Sequence, residues 1–295
     1  MSEYIIKKYH EGFEVDQEKV GKEVAKSFLT PHQTNATRLK ERYSQEDFDP
    51  ETRLYAFKDG KMIGFLTSRI LPENDEGIKV ASLTPPSVLE GHEPAKKLLF
   101  KKAVEILKKK GAQKIRSNFG AYSSMQEDSA KKLGYNLVET NSYVYSIDVS
   151  AIDSSVSFEA VVDYDYDKHK EQCAKILAVE FGREVEWANN FLERISTEED
   201  SERMQFVIFE NKELKAYTML APNTINSDFC HLSVISAINE EYMKQILSKI
   251  ASIYKAKNFK RLQIGFTDES DIKQNKFVPI KFELIGSSAV FEKEL

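Results

Sequence analysis

One stretch of the sequence has the residue types and spacing of a phosphate-binding loop. After a predicted strand that ends at Leu83, the chain carries Pro85, Pro86 and Gly91 before a helix that begins near Pro94. Proline suits the first turn of a helix, where its missing N–H is not needed. A loop that opens into a helix presents unpaired backbone N–H groups and a partial positive charge, so it can hold a phosphate.

The helix after this loop is predicted from the spacing of its apolar residues, which recur at intervals of three and four. These residues are Ala95, Leu98, Leu99, Ala103, Val104, Ile106 and Leu107. Gly111 is of the type that commonly follows the end of a helix. The lysines of this helix are either a solvated face or countercharges for a bound anion; they are Lys96, Lys97, Lys101 and Lys102.

Two histidine–cysteine pairs contain the residue types of a nucleophile and its base. Cys230 and His231 are adjacent on a predicted strand, where neighbouring side chains point to opposite faces. His169 and Cys173 lie four residues apart on a predicted helix, but no third residue is in place to orient the histidine. Two cysteines form no metal-ligand pattern, and both lie among apolar neighbours, as core cysteines do. We therefore predict no metal site.

Length and charge exclude several classes of protein. The 295 residues predict about two domains, and the net charge of −5 argues against a nucleic-acid partner. Residues 1–150 carry +2 and the remainder −7, so the first half is better suited to an anionic ligand. No apolar run is long enough to span a membrane and no secretory signal is evident. We expect a cytoplasmic protein with no membrane partner.

The elements of the first half are predicted from periodicity and turn residues. Strands are expected at 4–9, at 78–83, at 114–119 and at 141–149, with helices at 18–29, 34–43 and 124–132. The clearest local signal is Asp59-Gly60, between two runs rich in aromatic and β-branched residues, which predicts a hairpin. Residues 151–157 have the composition of a linker.

The second half repeats this order. The hairpin segment Phe57–Phe65 aligns with Phe209–Tyr217 at an offset of 152, and Phe28 aligns with Phe181 at 153. Near-equal offsets in separate elements indicate an internal repeat. We predict an α/β fold of the α+β type, with a mixed sheet and helices on both faces, as two domains at 1–150 and 151–295.

These features together resemble the GCN5-related N-acetyltransferase (GNAT) superfamily. The resemblance rests on the order of elements, the FKDGKMIGF hairpin, the strand, loop and helix around Leu98-Leu99, and the segment Ala130–Tyr135 (AKKLGY). It covers nearly the whole chain and implies two tandem acyl-CoA N-acyltransferase folds, both with altered motifs. In this family the pyrophosphate of acyl-CoA lies on the loop before the central helix, and the pantetheine arm pairs with the preceding strand.

The resemblance implies which residues bind acetyl-CoA or another acyl-CoA. The family loop has Arg or Gln, two residues, Gly, one residue, then Gly or Ala. Counted back from Leu98-Leu99, only Ala95 fits; counted forward from Pro85, Gly91 takes the first glycine position in a longer loop. The predicted cofactor-binding residues are Leu83, Thr84, Leu89, Glu90, Gly91, His92, Glu93, Ala95 and Lys96.

The second copy has no glycine in the corresponding stretch, and Glu240 and Glu241 stand at its helix start. We expect no cofactor there. In the family a Tyr four residues before the Gly of the AKKLGY-type segment often protonates the leaving thiolate. That position is Ala130 in the first copy and Phe277 in the second.

Replacements for this acid are therefore needed in the first copy. The candidates are Tyr122, after the strand at 114–119, and Ser124, although hydroxyls there also suit a helix cap. Glu73, Asp75 and Glu76 lie where the family sometimes has its base, and they also have the composition of a charged loop.

The function that follows is transfer of an acetyl group from acyl-CoA to the amine of a small molecule or peptide. The alternative is a GNAT-fold binding or regulatory module without catalysis, which the altered loop and missing acid favour. A homo-oligomer is compatible with either function.

Overall fold

The computed structural model of the chain describes residues 3–72, 77–122, 130–131, 133–197, 203–257, 259–266 and 281–295. The chain divides into two compact units. The first unit consists of Met1–Tyr143 and Gly286–Leu295, and the second of Val144–Ile285.

The first unit is built on a mixed sheet. Its strands are β1 Ile5–Lys8, β2 Arg53–Lys58, β3 Lys61–Ile70, β4 Val80–Leu83, β5 Ser87–Val88, β6 Lys114–Tyr122 and β13 Glu283–Glu294, which belongs to this unit from Gly286 onward. They lie in the order β1-β2-β3-β4-β6-β13, and β5 pairs with β3. The β4–β6 pair is parallel, and the other pairs of this order are antiparallel.

The second unit repeats this arrangement. Its strands are β7 Asn136–Asp148, which belongs to it from Val144 onward, β8 Val161–Asp163, β9 Met204–Glu210, β10 Glu213–Pro222, β11 Phe229–Ala237 and β12 Arg261–Phe266. They lie in the order β7-β12-β11-β10-β9-β8. The β11–β12 pair is parallel, whereas β8, β9, β10 and β11 pair antiparallel in succession.

Helices cover both faces of the first sheet. The helices of this unit are α1 Glu14–Ala25, α2 Ala36–Tyr43 and α3 Glu93–Lys109. Leu99 of α3 packs with Leu54 and Leu66 in one core, whereas Val20 of α1 packs with Tyr55 and Phe65 in another. Successive strand residues point to opposite faces, so these cores lie on opposite sides of the sheet.

The helices of the second unit are α4 Tyr166–Phe181, α5 Val185–Thr197 and α6 Glu240–Lys257. Helices α4 and α5 share a core with β9, β10 and β11, which contains Leu177, Leu192 and Tyr217. Helix α6 contacts β10 and β11. The predicted fold class, an α/β fold with a mixed sheet and helices on both faces, is therefore confirmed.

Both predicted hairpins form. Asp59 and Gly60 have φ of 51° and 78°, and Asn211 and Lys212 have φ of 52° and 67°. Positive φ at both central residues is the mark of a type I′ turn, whose twist matches that of the flanking strands. The turn residues are themselves 152 apart, so the internal repeat extends to backbone conformation.

The division of the chain differs from the predicted cut between residues 150 and 151. Residues from Gly286 onward join the first unit because β13 pairs antiparallel with β6, from Ser287 opposite Tyr122 to Glu294 opposite Lys114. Phe291 of this strand is fully buried in the same core as Leu99. A repeat in the sequence identifies two sets of elements, but it does not say which sheet receives the last strand.

Candidate functional site

The candidate site of the first unit begins where two parallel strands part. β4 and β6 pair at Val80 with Lys114, Ala81 with Ile115 and Ser82 with Arg116. Beyond these residues β6 continues along β13, and the chain after β4 stays with β3. Two strands that share only their first residues leave a wedge between their carboxyl ends.

Leu83 and Thr84 lie at this point of separation. The Thr84 N–H donates to the Thr67 carbonyl at 2.9 Å, so even-numbered residues of β4 bond to β3. Backbone groups alternate in direction along a strand, and those of Leu83 therefore face β6. The Leu83 side chain is buried, and Thr84 is exposed.

The chain beyond Thr84 keeps to β3 but changes register. Pro85 and Pro86 contribute no N–H, and three residues of this segment span the space of two on β3 before Ser87 pairs with Phe65. The Thr84 N–H is already bonded to Thr67, so residues 84–86 offer an incoming acyl group carbonyl acceptors and no spare N–H donor.

Gly64 of the predicted hairpin is needed for this close pairing. A Cβ on Gly64 would lie 2.6 Å from Cγ2 of Val88 and 2.8 Å from the Ser87 carbonyl oxygen. The glycine in FKDGKMIGF therefore lets β5 approach β3, which directs the chain toward the start of α3.

The loop before α3 is a tight, exposed turn. Its His92 N–H donates to the Leu89 carbonyl at 3.3 Å, and Gly91 has φ of 80°, a conformation that favours glycine. The His92 ring is held from one side because its Nδ1 lies 3.2 Å from the Tyr4 hydroxyl. Glu90 and Gly91 are exposed.

Helix α3 begins at Glu93 with Pro94 in its first turn and no side-chain cap at His92. Within the described residues, the N–H groups of Gly91 and Glu93 donate to no protein acceptor. Glu93 and Lys96 are exposed, whereas Ala95 is fully buried. The turn therefore leaves backbone donors open to solvent, with one carboxylate beside them.

The second unit differs in the turn before its central helix. The Leu89 N–H donates to the Ile63 carbonyl at 2.9 Å, and the Ile238 N–H donates to the Lys215 carbonyl at 3.0 Å. Since Lys215 lies 152 residues after Ile63, Ile238 is the equivalent of Leu89. Only Asn239 then precedes α6, whereas three residues precede α3.

Asn239 also closes this helix start, since its side chain accepts a hydrogen bond from the Tyr242 N–H at 3.0 Å. A capping side chain occupies a donor that an anion would otherwise use.

The residue at the family's acid position has no role in proton transfer. Ala130 is buried in the α3 core. Tyr122 ends β6, with its side chain outside the described residues. Ser124, Glu73, Asp75, Glu76 and Phe277 also lie outside the described part of the chain.

A buried hydroxyl pair lies on the α3 face of β6, and sequence reasoning did not single it out. The Ser117 hydroxyl donates to the Tyr135 hydroxyl at 3.1 Å, and Ser117 follows Arg116, the last β6 residue paired with β4. Burial raises the pKa of Tyr135 to about 12. The signal available was the alternation Ile115, Ser117, Phe119, which puts a serine on the apolar face.

The described contacts of the histidine–cysteine pairs are those of core packing and not of a nucleophile with its base. Cys173 is fully buried, and burial raises the pKa of its thiol to about 12. His169 accepts the Asp165 N–H at Nδ1 over 2.9 Å. The Cys230 sulfur lies 2.9 Å from the Tyr254 hydroxyl. A protonated, buried thiol is a poor nucleophile.

The described residues show neither a metal-binding cluster nor a membrane-spanning helix. No group of three or more His, Cys, Asp or Glu side chains there is arranged to hold a metal ion. No helix there combines the length and the apolar character that crossing a membrane requires.

The fold is that of the GNAT superfamily, present as tandem copies. The chain is similar to a tandem GNAT protein from the clavulanic acid biosynthesis pathway, with a TM-score of 0.60 and 13% identity over 99% of this chain and 98% of that one. It is also similar to a GCN5-related N-acetyltransferase from Sphaerobacter thermophilus, with a TM-score of 0.57 and 11% identity over 99% and 95% of the two chains.

A third similar structure is the Saccharomyces cerevisiae N-myristoyltransferase, with a TM-score of 0.50 and 8% identity over 100% of this chain and 80% of that one. No protein-family model matches the sequence, and no curated protein matches it. Identities this low establish the fold alone, so the chemistry has to be argued from the site.

Proposed function

We propose that this chain is an acyl-CoA-dependent N-acetyltransferase that binds acetyl-CoA in its first unit and acetylates an amine. One observation carries the proposal. The start of α3 has no side-chain cap and follows an exposed turn that contains Gly91, whereas Asn239 caps the equivalent helix. An uncapped helix start favours an anion through its N–H groups and its partial positive charge.

The residues from Leu89 to Lys96 would hold the pyrophosphate. The absence of a side chain at the exposed Gly91 allows phosphate oxygens to approach the backbone, and Lys96 adds a positive charge at the exposed helix start. Glu93 opposes binding by charge repulsion, so the affinity is expected to depend on ionic strength. The Leu83 carbonyl, which faces the wedge, would accept a hydrogen bond from an amide N–H of the pantetheine arm.

Transfer forms a bond between the amine nitrogen and the acetyl carbon and breaks the carbon–sulfur bond. The amine loses a proton and the thiolate gains one. We propose the Tyr135 phenol, or Tyr122 or Ser124, as the donor to sulfur. Tyr135 already accepts a hydrogen bond from Ser117, so its own proton can be directed elsewhere.

The test is calorimetric titration with acetyl-CoA, together with a variant that copies the second unit. Replacing Glu90, Gly91 and His92 by a single Asn gives α3 the capped start of α6. We expect one site per chain in the wild type and at least a tenfold loss of affinity in this variant, because the exposed donors are removed. Asn239→Gly, which removes the cap of the second unit, should leave the affinity unchanged.

No heat and no thermal shift at millimolar acetyl-CoA would refute the proposal. The alternative, a binding module, is favoured by Ala130 and by the absence of spare N–H donors at residues 84–86. A binding module would give the same calorimetric binding of acetyl-CoA but would release no CoA when any amine is added. Assaying Tyr135→Phe and Tyr122→Phe for CoA release then identifies the proton donor.

A further inference from the structure

The first unit contains a buried cation that pairs with no carboxylate of the described residues. Arg53, the first residue of β2, is only 7% exposed. Its Nη1 donates to Oγ1 of Thr52 at 2.9 Å and to the Ser68 carbonyl. Burial lowers the pKa of Arg53, but a guanidinium stays charged at neutral pH. Burying a charge without a counterion is costly.

The carboxylates closest to Arg53 in the sequence bind lysines. Asp49 lies 2.7 Å from the Lys110 ammonium, and Glu51 lies 3.0 Å from the same group and also pairs with Lys8. Its hydrogen bonds to Lys8 and Lys110 lower the pKa of Glu51 to about 2. No carboxylate of the described residues forms an ion pair with Arg53, so none of them neutralises its charge.

The guanidinium is hydrogen-bonded at Nη1 and has no hydrogen-bond partner at Nε. Nη1 is held by Thr52 and Ser68, whereas Nε is buried without a hydrogen-bond partner. The planar group lies beside the rings of Tyr43 and Phe48, at 5.7 and 5.5 Å from their centroids. Phe48 is half-buried, follows the exposed residues 44–47, and lies beside the guanidinium. A carboxylate binds an arginine edge through two parallel hydrogen bonds.

Arg53 lies in one row with the proposed reaction centre. It pairs with Thr67 across the β2–β3 ladder, and the hydroxyls of Thr67 and Thr84 lie 2.9 Å apart. Residues that pair directly project from the same face of a sheet. Two strand spacings separate the Cα atoms of Arg53 and Thr84 by about 10 Å.

The equivalent row of the second unit has lost these features. Gln205 pairs with Met219, and Met219 pairs with Val234. Gln205 corresponds to Arg53 at the offset of 152, and its side chain accepts a hydrogen bond from the Tyr217 hydroxyl at 2.7 Å. The fold therefore does not require a cation at this position.

We propose that the acceptor amine carries a carboxylate, which binds at Nε of Arg53 while the amine reaches the acyl group near Thr84. This inference rests on the proposed acetyltransferase function. The separation favours acceptors in which several bonds lie between the nitrogen and the carboxylate. Phe48 has to move aside for the carboxylate to reach Nε.

The experiment compares acceptors that differ only in charge. The probes are ω-amino acids from 4-aminobutanoate to 8-aminooctanoate, each paired with its neutral primary amide, and CoA release is measured. We expect kcat/KM for the acids to be at least tenfold higher, with the largest ratio in the longer members. Equal rates for acid and amide would overturn the inference while leaving the proposed function intact.

Variants localise the effect. Arg53→Gln should reduce the acid-to-amide ratio to about one, with the amide rates retained, whereas Arg42→Gln, at an exposed arginine nearby, should keep the ratio. Unchanged acetyl-CoA affinity would show that Arg53→Gln is folded. If this folded variant still prefers the acids over the amides, Arg53 is not the residue that binds the carboxylate.

If Arg53→Gln does not fold, the comparison of acid and amide on the wild type still decides the matter. If no amine is acetylated, the proposed function fails, and the anion site is tested alone by calorimetry with hexanoate. Binding that Arg53→Gln abolishes would support the site, and no binding to the wild type would refute it.

Discussion

The two units share their framework in detail and differ where a ligand would bind. Each hairpin has a bulge at the same place: the register skips Ile63 between Met62 and Gly64 of the first unit, and Lys215 between Leu214 and Ala216 of the second. The parallel pairs also correspond, since Val80 opposite Lys114 matches Phe229 opposite Arg261.

The difference in residue number between equivalent positions shows where the two units differ in length. It is 149 residues from Val80 to Phe229 and still 149 from Leu89 to Ile238, but 147 from Lys114 to Arg261. Two residues are therefore missing from the second unit between the strand and the end of the helix. The helix starts themselves are 147 apart, so the missing residues are those of the turn before the helix.

The comparison shows that two copies of one fold differ in a short turn and a few side chains at the proposed site. In the second unit the Asn239 side chain accepts a hydrogen bond from a backbone N–H at the helix start, which is what a phosphate would do in the first unit. The row Arg53, Thr67 and Thr84 becomes neutral in the same unit. Fold and site are separate properties of the chain, and three paired substitutions can test this separation.

The largest effect is expected from matched cavities in the two central helices. Leu99 and Ile246 occupy equivalent positions and are both fully buried. Leu99→Ala and Ile246→Ala should each lower the free energy of unfolding by about 2–5 kcal/mol, measured by denaturant titration. Only Leu99→Ala should weaken acetyl-CoA binding. Equal loss of affinity in both variants would contradict a site confined to the first unit.

A smaller effect is expected at the close contact between β3 and β5. Gly64→Ala introduces a methyl group against Val88 and the Ser87 carbonyl and should destabilise the chain by about 1–3 kcal/mol. It should also weaken acetyl-CoA binding, because β5 leads into the turn before α3. Ala216→Gly at the equivalent position should cost about 1 kcal/mol and leave the affinity unchanged. An unaltered affinity in Gly64→Ala would separate β5 from the site.

The smallest effect concerns the carboxylates at the two helix starts. Glu93→Gln removes a negative charge beside the proposed pyrophosphate and should raise the acetyl-CoA affinity about two- to fivefold at low salt. The gain should shrink as salt is added, because exposed charges are screened. Glu240→Gln is the control and should have no effect. A loss of affinity in Glu93→Gln would show that this carboxylate assists binding.

Elements that depend on local signals in the sequence were predicted well. Asp59-Gly60 predicts the hairpin, and Pro94 and Gly111 predict the limits of α3, since each depends on a residue type with its own backbone preference. The start of α1 was predicted less well. This helix begins at Glu14, before the apolar periodicity becomes visible, because its first turn buries the polar Glu14 and Gln17 and exposes Val15.

Side-chain partnerships across strands were not predicted. Ser117 and Tyr135 are 18 residues apart, and their hydroxyls meet only because β6 and the segment after Gly134 pack together. In the sequence, nothing distinguishes Arg53 from an ordinary strand residue. Its isolation from Asp49 and Glu51 depends on lysines at positions 8 and 110, which only the folded chain brings to those carboxylates.

The sequence by itself determined the repeat, the hairpins, the class of fold and the position of the turn before α3. These follow from periodicity and from residues that act on their own backbone. Only the tertiary structure decided that β13 completes the first sheet and that Arg53, Thr67 and Thr84 form a row. The physical reason is that strand order and register join residues distant in sequence, and no local preference specifies which pair will meet.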